Sequence, residues 1–193
     1  MPFHRSGAGH LRFWGSVSHM SGLAGRLIVA APELVDPNFF RTVVFLIQHD
    51  ADGALGVVLT RPSDSPVAEH LPDLADHVAD PPVVFVGGPV DPAVAIGLES
   101  TEDPSVPTQL GGVGILDVLA PDHPGRCRIF SGYAGWGSGQ VEAEIGEEAW
   151  FVVDAIAEDV FAADPESLWS AVLKRQPPPL SWMATYPPDI SLN

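Results

Sequence analysis

One imidazole and two carboxylates fall within four residues at His49-Asp50-Ala51-Asp52. Such groups serve as a general base or as donors to a divalent cation. They equally suit a polar hairpin turn in which the aspartates accept local backbone N–H bonds, and the turn is the favoured reading. His70 and His77 stand seven apart in acidic sequence and add no ligand spacing, so no metal site is expected. Arg61, at the end of an apolar run, is suited to anchor a ligand carboxylate or phosphate, or to pair internally with an acid. With 9 basic residues among 25 acidic ones, the internal pair is favoured.

Two glycine-rich segments bear on ligand approach. Gly87-Gly88-Pro89 and the stretch from Gly132 through Tyr133 and Gly135 to Gly139 read as loops where a ligand comes close to backbone. Gly132, Gly135 and Gly137 lie at offsets 0, 3 and 5, not the 0, 2 and 5 of a dinucleotide fingerprint. No glycine stands two before Ser138, so the segment is no nucleophile elbow. An anion at a following helix start would meet Glu142, Glu144, Glu147 and Glu148. A tight strand-to-helix turn with Trp136 in the core is the favoured reading, and no cofactor is expected. Cys127 lies between Arg126 and Arg128, but strand alternation puts both arginines on the opposite face, which predicts a buried thiol.

These groups must be held by a particular set of elements. Leu27–Ala30 reads as a strand and residues 36–40 as a turn. Thr42–Ile47 and Leu55–Thr60 are apolar, β-branched runs separated by a segment ending in Asp52-Gly53, which predicts an antiparallel hairpin. Ser65-Pro66 reads as a capped helix start and Pro72 as its stop. Val83–Val86, Val94–Leu98, Gly114–Val118, Arg128–Phe130 and Trp150–Val153 read as strands, the first of them buried. Residues 101–112 read as a mobile polar loop. A helix is expected from Ser138 or Gly139, with Val141 and Ile145 on its apolar stripe. Asp164-Pro165-Glu166 opens another, with Leu168, Trp169, Val172 and Leu173 facing inward. Strands and helices without strict alternation predict α+β.

Composition bounds the class. The 193 residues suit one domain, with 46% hydrophobic and 18% charged residues. The 19 glycines and 20 prolines are scattered without a period, which excludes a collagen-like repeat. A single cysteine excludes an intrachain disulfide, and no run approaches the ~20 apolar residues of a membrane span. A net charge of −16 argues against direct nucleic-acid binding and against an anionic membrane surface. A cytoplasmic protein is expected. Residues 1–21 carry Arg5, Arg12, three of the seven histidines and no acid. They read as a disordered, dispensable extension, with Met20 an alternative start, preceding one domain over residues 22–193.

Three ordered segments carry a resemblance. Phe40-Arg41-Thr42-Val43-Val44 runs into His49-Asp50 and then into Gly53-Ala54-Leu55-Gly56-Val57-Val58-Leu59-Thr60-Arg61-Pro62. Val86-Gly87-Gly88-Pro89-Val90 is the second, and Gly132-Tyr133-Ala134-Gly135-Trp136 with Gln140–Glu144, Trp150 and Leu168-Trp169 is the third. From Gly25 to about Arg175 the chain resembles the YqgE/AlgH family of small bacterial proteins. One departure is Thr60, where that family usually has Asn before Arg-Pro. The resemblance implies a single α+β domain whose bent, branching mixed sheet folds toward a pseudo-barrel, with helices outside. It implies no established reaction; some members are described as regulators of transcription or exopolysaccharide production.

Two functions follow. The first is a non-catalytic regulatory or binding protein, acting through a protein partner or small ligand, with candidate residues Thr42, His49, Arg61, Gly87, Gly88, Tyr133 and Gly135. The second is an enzyme whose pocket gathers Thr42, His49, Arg61 and Tyr133. The first is favoured, because no nucleophile–base pair is visible in the sequence. The two differ in a testable way: an enzyme requires those four side chains to converge.

Overall fold

Continuous apolar runs become strands buried on both faces, and the first two of this chain show why. A computed structural model describes residues 22–101, 112–117 and 125–187. Strand β1 (Arg26–Ala30) and strand β2 (Val43–Asp50) pair antiparallel, with Ile28 opposite Val44. Leu27, Val29, Val43 and Phe45 point into one apolar cluster; Ile28, Ala30, Val44 and Leu46 point into a second on the other face. Neither face meets water, so no polar alternation is needed.

The expected hairpin is present. β2 turns at Ala51-Asp52 into β3 (Gly53–Val58), with Asp50 opposite Gly53 and a register shift between Leu46 and Gln48. Next come β4 (Pro62–Pro66), two short 3-10 turns (Val67–Glu69 and Pro72–His77), β5 (Val83–Val86), β6 (Val90–Ser100) and β7 (Val113–Ile115). The long β8 (Cys127–Gly137) leads to helix α1 (Gln140–Gly146), then β9 (Trp150–Asp154), α2 (Ala157–Val160), α3 (Leu168–Lys174) and α4 (Leu180–Met183).

Among the described residues the strands form one mixed, nine-stranded sheet in the order β4-β5-β8-β3-β2-β1-β9, with β6 and β7 branching from β8. The first half of β8 pairs in parallel with β5 (Phe130 opposite Phe85), and its second half pairs antiparallel with β3 (Ala134 opposite Gly56). Two strands thus meet one edge of β8 end to end, and β6 takes the other edge. The sheet branches as the resemblance implied but does not close into a barrel. Helices lie on both sides: α3 packs Trp169, Val172 and Leu173 on one cluster, and α1 packs Val141 on the other.

Several local expectations need correction. Ser65-Pro66 is not a helix start; both belong to β4 beside β5, where proline is tolerated at a strand end, and Pro72 opens the second 3-10 turn. Gly132–Gly137 is not a loop but the second half of β8. Of β5 only Phe85 is fully buried; Val84 and Val86 border a groove, and Val83 packs half-buried against the core. Helix α3 starts at Leu168 rather than at Pro165. β6 begins earlier than expected, at Val90, and β7 ends at Ile115. The mobile loop expected over 101–112 lies almost wholly outside the described residues, as does the extension 1–21.

Candidate functional site

His49 sits near the turn end of β2 with a side chain 9% exposed. Its Nδ1 accepts the backbone N–H of Leu23 at 3.0 Å, which leaves the proton on Nε2, 2.8 Å from Glu142 Oε1 on α1. Both ring nitrogens are therefore occupied. Glu142 is held below the ordinary carboxylate range, first by a backbone hydrogen bond and then by His49. The aspartates behave as turn residues: Asp50 accepts the N–H of Asp52 at 2.8 Å and the Gln48 amide at 2.7 Å. Those bonds, the Gln48 one foremost, pull the Asp50 carboxyl down. Among the described residues no group of three His, Cys, Asp or Glu is placed to hold a metal ion.

Arg61 lies at the opposite end of the hairpin. Leu59 N–H bonds the Val43 carbonyl there, and His49 is roughly 20 Å farther along β2 at about 3.3 Å per residue. Arg61 lines a niche of about 100 Å³ with Asn38, Val58, Val86, Gly88 and Pro89. Its guanidinium donates to the Pro37 carbonyl at 3.0 Å, while Nε is buried without a partner. The expected internal pair with an acid is absent among the described residues. The adjacent Thr60 hydroxyl is likewise buried and unpartnered.

The other candidates divide. Thr42 is 1% exposed and its hydroxyl donates to the Phe39 carbonyl at 2.8 Å, so it is consumed by the turn before β2. Gly87 and Gly88 do permit a close backbone approach, but the approaching backbone is the protein's own. A Cβ on Gly87 would stand 2.3 Å from the Gly132 carbonyl oxygen, and one on Gly88 2.2 Å from that of Tyr133. Gly132, at φ +70°, completes this crossing, where β5 leaves β8 and β3 takes its place. Tyr133 pairs with Val90 and its ring lies over the exposed Gly135. Arg61, Gly88 and the Gly132–Tyr133 backbone converge at the branch of the sheet; His49 does not. The four-residue pocket of the enzyme reading is not assembled.

A second concavity was not legible in the sequence. On the outer face of β4, β5, β8 and β6 lies an open groove of about 410 Å³, floored by Val84, Val86, Ile129 and Ser131. One wall is a bulge in β6, where Val90 pairs with Tyr133 and Ala95 with Ser131. The bulge contains Asp91 at φ +42° and is pinned by Ser131 Oγ donating to the Pro92 carbonyl at 2.6 Å. The other wall carries Ser65, whose Oγ is 2.7 Å from His70 Nε2. This is a hydroxyl–imidazole pair that sequence reading missed, because the helix expected at Ser65 hid it. Among the described residues no acid orients the other nitrogen of His70.

Buried polar groups elsewhere serve the fold. Arg128 is fully buried, donating to the Ala162 carbonyl at 3.0 Å and to that of Asp80, with its guanidinium 4.2 Å from the Phe85 ring. Burial lowers it to about 10, so it stays cationic at neutral pH. Cys127 is buried as expected, and desolvation raises its thiol to about 11. Glu144, off the apolar stripe of Val141 and Ile145, accepts both indole N–H groups of Trp136 and Trp150, at 2.9 and 2.8 Å. Phe39 packs on both indoles at ring-centroid distances of 5.9 and 5.4 Å.

Comparison with known proteins gives this arrangement its relatives. Residues 27–181 match the family described as AlgH-like. A UPF0301 protein of Streptomyces coelicolor is 45% identical over 190 residues, covering 92% of this chain and 98% of that one. A UPF0301 protein of Thermobifida fusca is 43% identical over 196 residues, covering 91% and 99%. The crystal structure of a Corynebacterium diphtheriae protein superposes with a TM-score of 0.78 at 30% identity, covering 88% of this chain and 95% of that one. The solution structure of the AlgH protein from Pseudomonas aeruginosa gives 0.63 at 29% identity, covering 89% and 98%. From β1 into α4, sequence and fold agree, and the chain belongs to the AlgH-like family.

Proposed function

We propose that this protein is a non-catalytic binding protein of the cytoplasm, acting through a small ligand or protein partner received on the outer face of β4, β5, β8 and β6. The observation that carries this reading is the separation of the chemically capable side chains. His49 is locked between Leu23 and Glu142, Thr42 is spent on Phe39, and neither reaches Arg61. What remains accessible is an apolar groove bordered by the exposed Val86 and Val94, with a lone guanidinium beyond one end. Any link to transcription is then indirect, because a net charge of −16 repels DNA phosphate.

A thermal-shift screen against a metabolite library tests the reading. Stabilising compounds are expected to bind at the groove and to be recovered chemically unchanged. The Ser65–His70 pair supplies the contrary outcome: turnover of a p-nitrophenyl ester that Ser65→Ala abolishes would make the protein an enzyme. Duplex DNA at physiological salt is expected not to bind, and sub-micromolar binding with a steep salt slope would restore direct regulation.

A further inference from the structure

Arg61 differs from every other described arginine. Arg26 pairs with Asp154 at 3.0 Å, and Arg175 forms a two-pronged pair with the buried Asp159. Arg41, Arg126 and Arg128 lie over the rings of Trp169, Phe161 and Phe85. Arg61 alone among the described residues has neither carboxylate nor ring. Of the five donors a guanidinium carries, one is engaged, toward Pro37. Its Nε is buried without a partner, as is the hydroxyl of Thr60 beside it. Arg128 Nε is a buried orphan as well, so what sets Arg61 apart is that its guanidinium has a single acceptor among the described residues and lines a niche. Asp36, next to the Pro37 whose carbonyl Arg61 bonds, accepts the N–H of Asn38 at 2.8 Å and forms no ion pair with Arg61.

The niche and the groove are not independent. Val86, 45% exposed, lines both. From Arg61 the surface runs over Val86 onto Val84 and Ile129, with Val94, 37% exposed, on the facing wall. A cationic donor set at one end of an apolar trough fits an anion with a hydrocarbon tail. The groove volume of about 410 Å³ is that of a small-molecule site, which runs roughly 300–1,000 Å³. We propose that Arg61 receives the carboxylate of a small aliphatic acid whose chain lies across Val86 into the groove. A planar carboxylate matches the planar guanidinium, which lines the niche and has only the Pro37 carbonyl as acceptor among the described residues. This deepens the reading above and rests on the groove being the binding face.

Titration of the full chain with sodium octanoate and, separately, with 1-octanol tests the proposal, followed by amide shifts in ¹H–¹⁵N spectra. Octanoate is expected to shift both the niche (Gly87, Gly88) and the groove (Val84, Val86) with one saturable curve. Arg61→Ala should weaken octanoate by about tenfold or more and leave octanol unchanged, since a charge-assisted bond is lost and apolar contact is not. Arg61→Gln, which retains a donor for Pro37, should show the same loss and covers the case in which the alanine variant does not fold. Equal binding of acid and alcohol, or an Arg61→Gln protein that binds octanoate like wild type, overturns the carboxylate site while leaving the groove intact. Failure of both probes to shift the groove overturns the binding face as well. An apolar tripeptide acid that binds more tightly than octanoate, and loses that advantage as its amide, would assign the niche to a peptide C-terminus and overturn the aliphatic-acid assignment.

Discussion

The two halves of β8 share one strand and live in different surroundings. From Cys127 to Phe130 every residue is buried: Cys127 and Ile129 pack in one cluster, Phe130 in another, and Arg128 lies beneath Phe85. From Gly132 to Gly137 burial alternates, with Ala134 and Trp136 inward and Gly135 and Gly137 outward. The first half is flanked by β5 and β6, with apolar clusters on its two faces and the groove opening over Ile129 and Ser131; the second trades β5 for β3 at a crossing too tight for side chains. Branching divides the labour. One side of the junction is held by a dry indole cluster, and the other opens a groove with an unspent guanidinium at its end.

That contrast can be broken in order of severity. Trp150→Ala removes a buried indole that packs on Phe39 and Trp136 and donates to Glu144, and should cost about 3–5 kcal/mol in urea unfolding. A loss under about 1 kcal/mol would show that the indole cluster does not hold α1 to the sheet. Gly88→Ala drives a methyl into the Tyr133 carbonyl at φ +157° and should cost about 3 kcal/mol, whereas Gly135→Ala on the open face should stay within about 0.5 kcal/mol. Equal effects at the two glycines would erase the distinction between crossing and open strand. Arg128→Met strands two buried carbonyls and should cost about 2 kcal/mol by the same measurement.

Alkali sharpens the comparison. The Cys127 thiol is raised from 9.0 in the unfolded chain to about 11 in the fold, so the folded state holds that proton longer. Its contribution to stability is complete below about pH 9 and is lost as pH climbs through 11. Iodoacetamide at pH 8 should therefore modify the native protein far more slowly than the urea-unfolded chain, and equal rates would mean that this half of β8 opens readily. The smallest effect is reserved for the turn end of the hairpin. Glu142→Gln should leave the neutral-pH unfolding midpoint nearly unmoved, because that carboxylate is exposed. It should reduce acid sensitivity slightly: a depressed carboxyl contributes above its unfolded value and loses that contribution as pH falls through the folded one.

The sequence discloses the parts of this molecule whose burial is uniform. β1, β2 and β3 are legible because two-sided burial writes itself as unbroken apolar runs, and Asp52-Gly53 marks the turn between β2 and β3. The second half of β8 was hidden because its outward positions are glycines, which read as a loop when they sit on the solvent side of a strand. Ser65-Pro66 misleads for a related reason: serine before proline begins a helix or ends an edge strand, and only pairing with β5 decides. At the site, Arg61 was legible as a candidate, but its lack of an acid partner depends on where distant chain falls. The crossing that consumes Gly87 and Gly88, and the groove bordered by Val86 and Val94, likewise arise from segments brought together only by the branch.

β1 lies between β2, its neighbour in sequence, and β9, which arrives only after most of the chain has been made. Trp169, whose indole donates to the Ala30 carbonyl at 2.8 Å, comes later still. On the ribosome, then, the hairpin can shield one side of Leu27–Ala30 early, while the opposite row of backbone donors and acceptors stays bare until Trp150–Asp154 emerges. A nascent chain halted before that point presents an apolar strand edge, the kind of surface that recruits other chains. Among the described strands, the last to be synthesised is thus the one that makes the first safe.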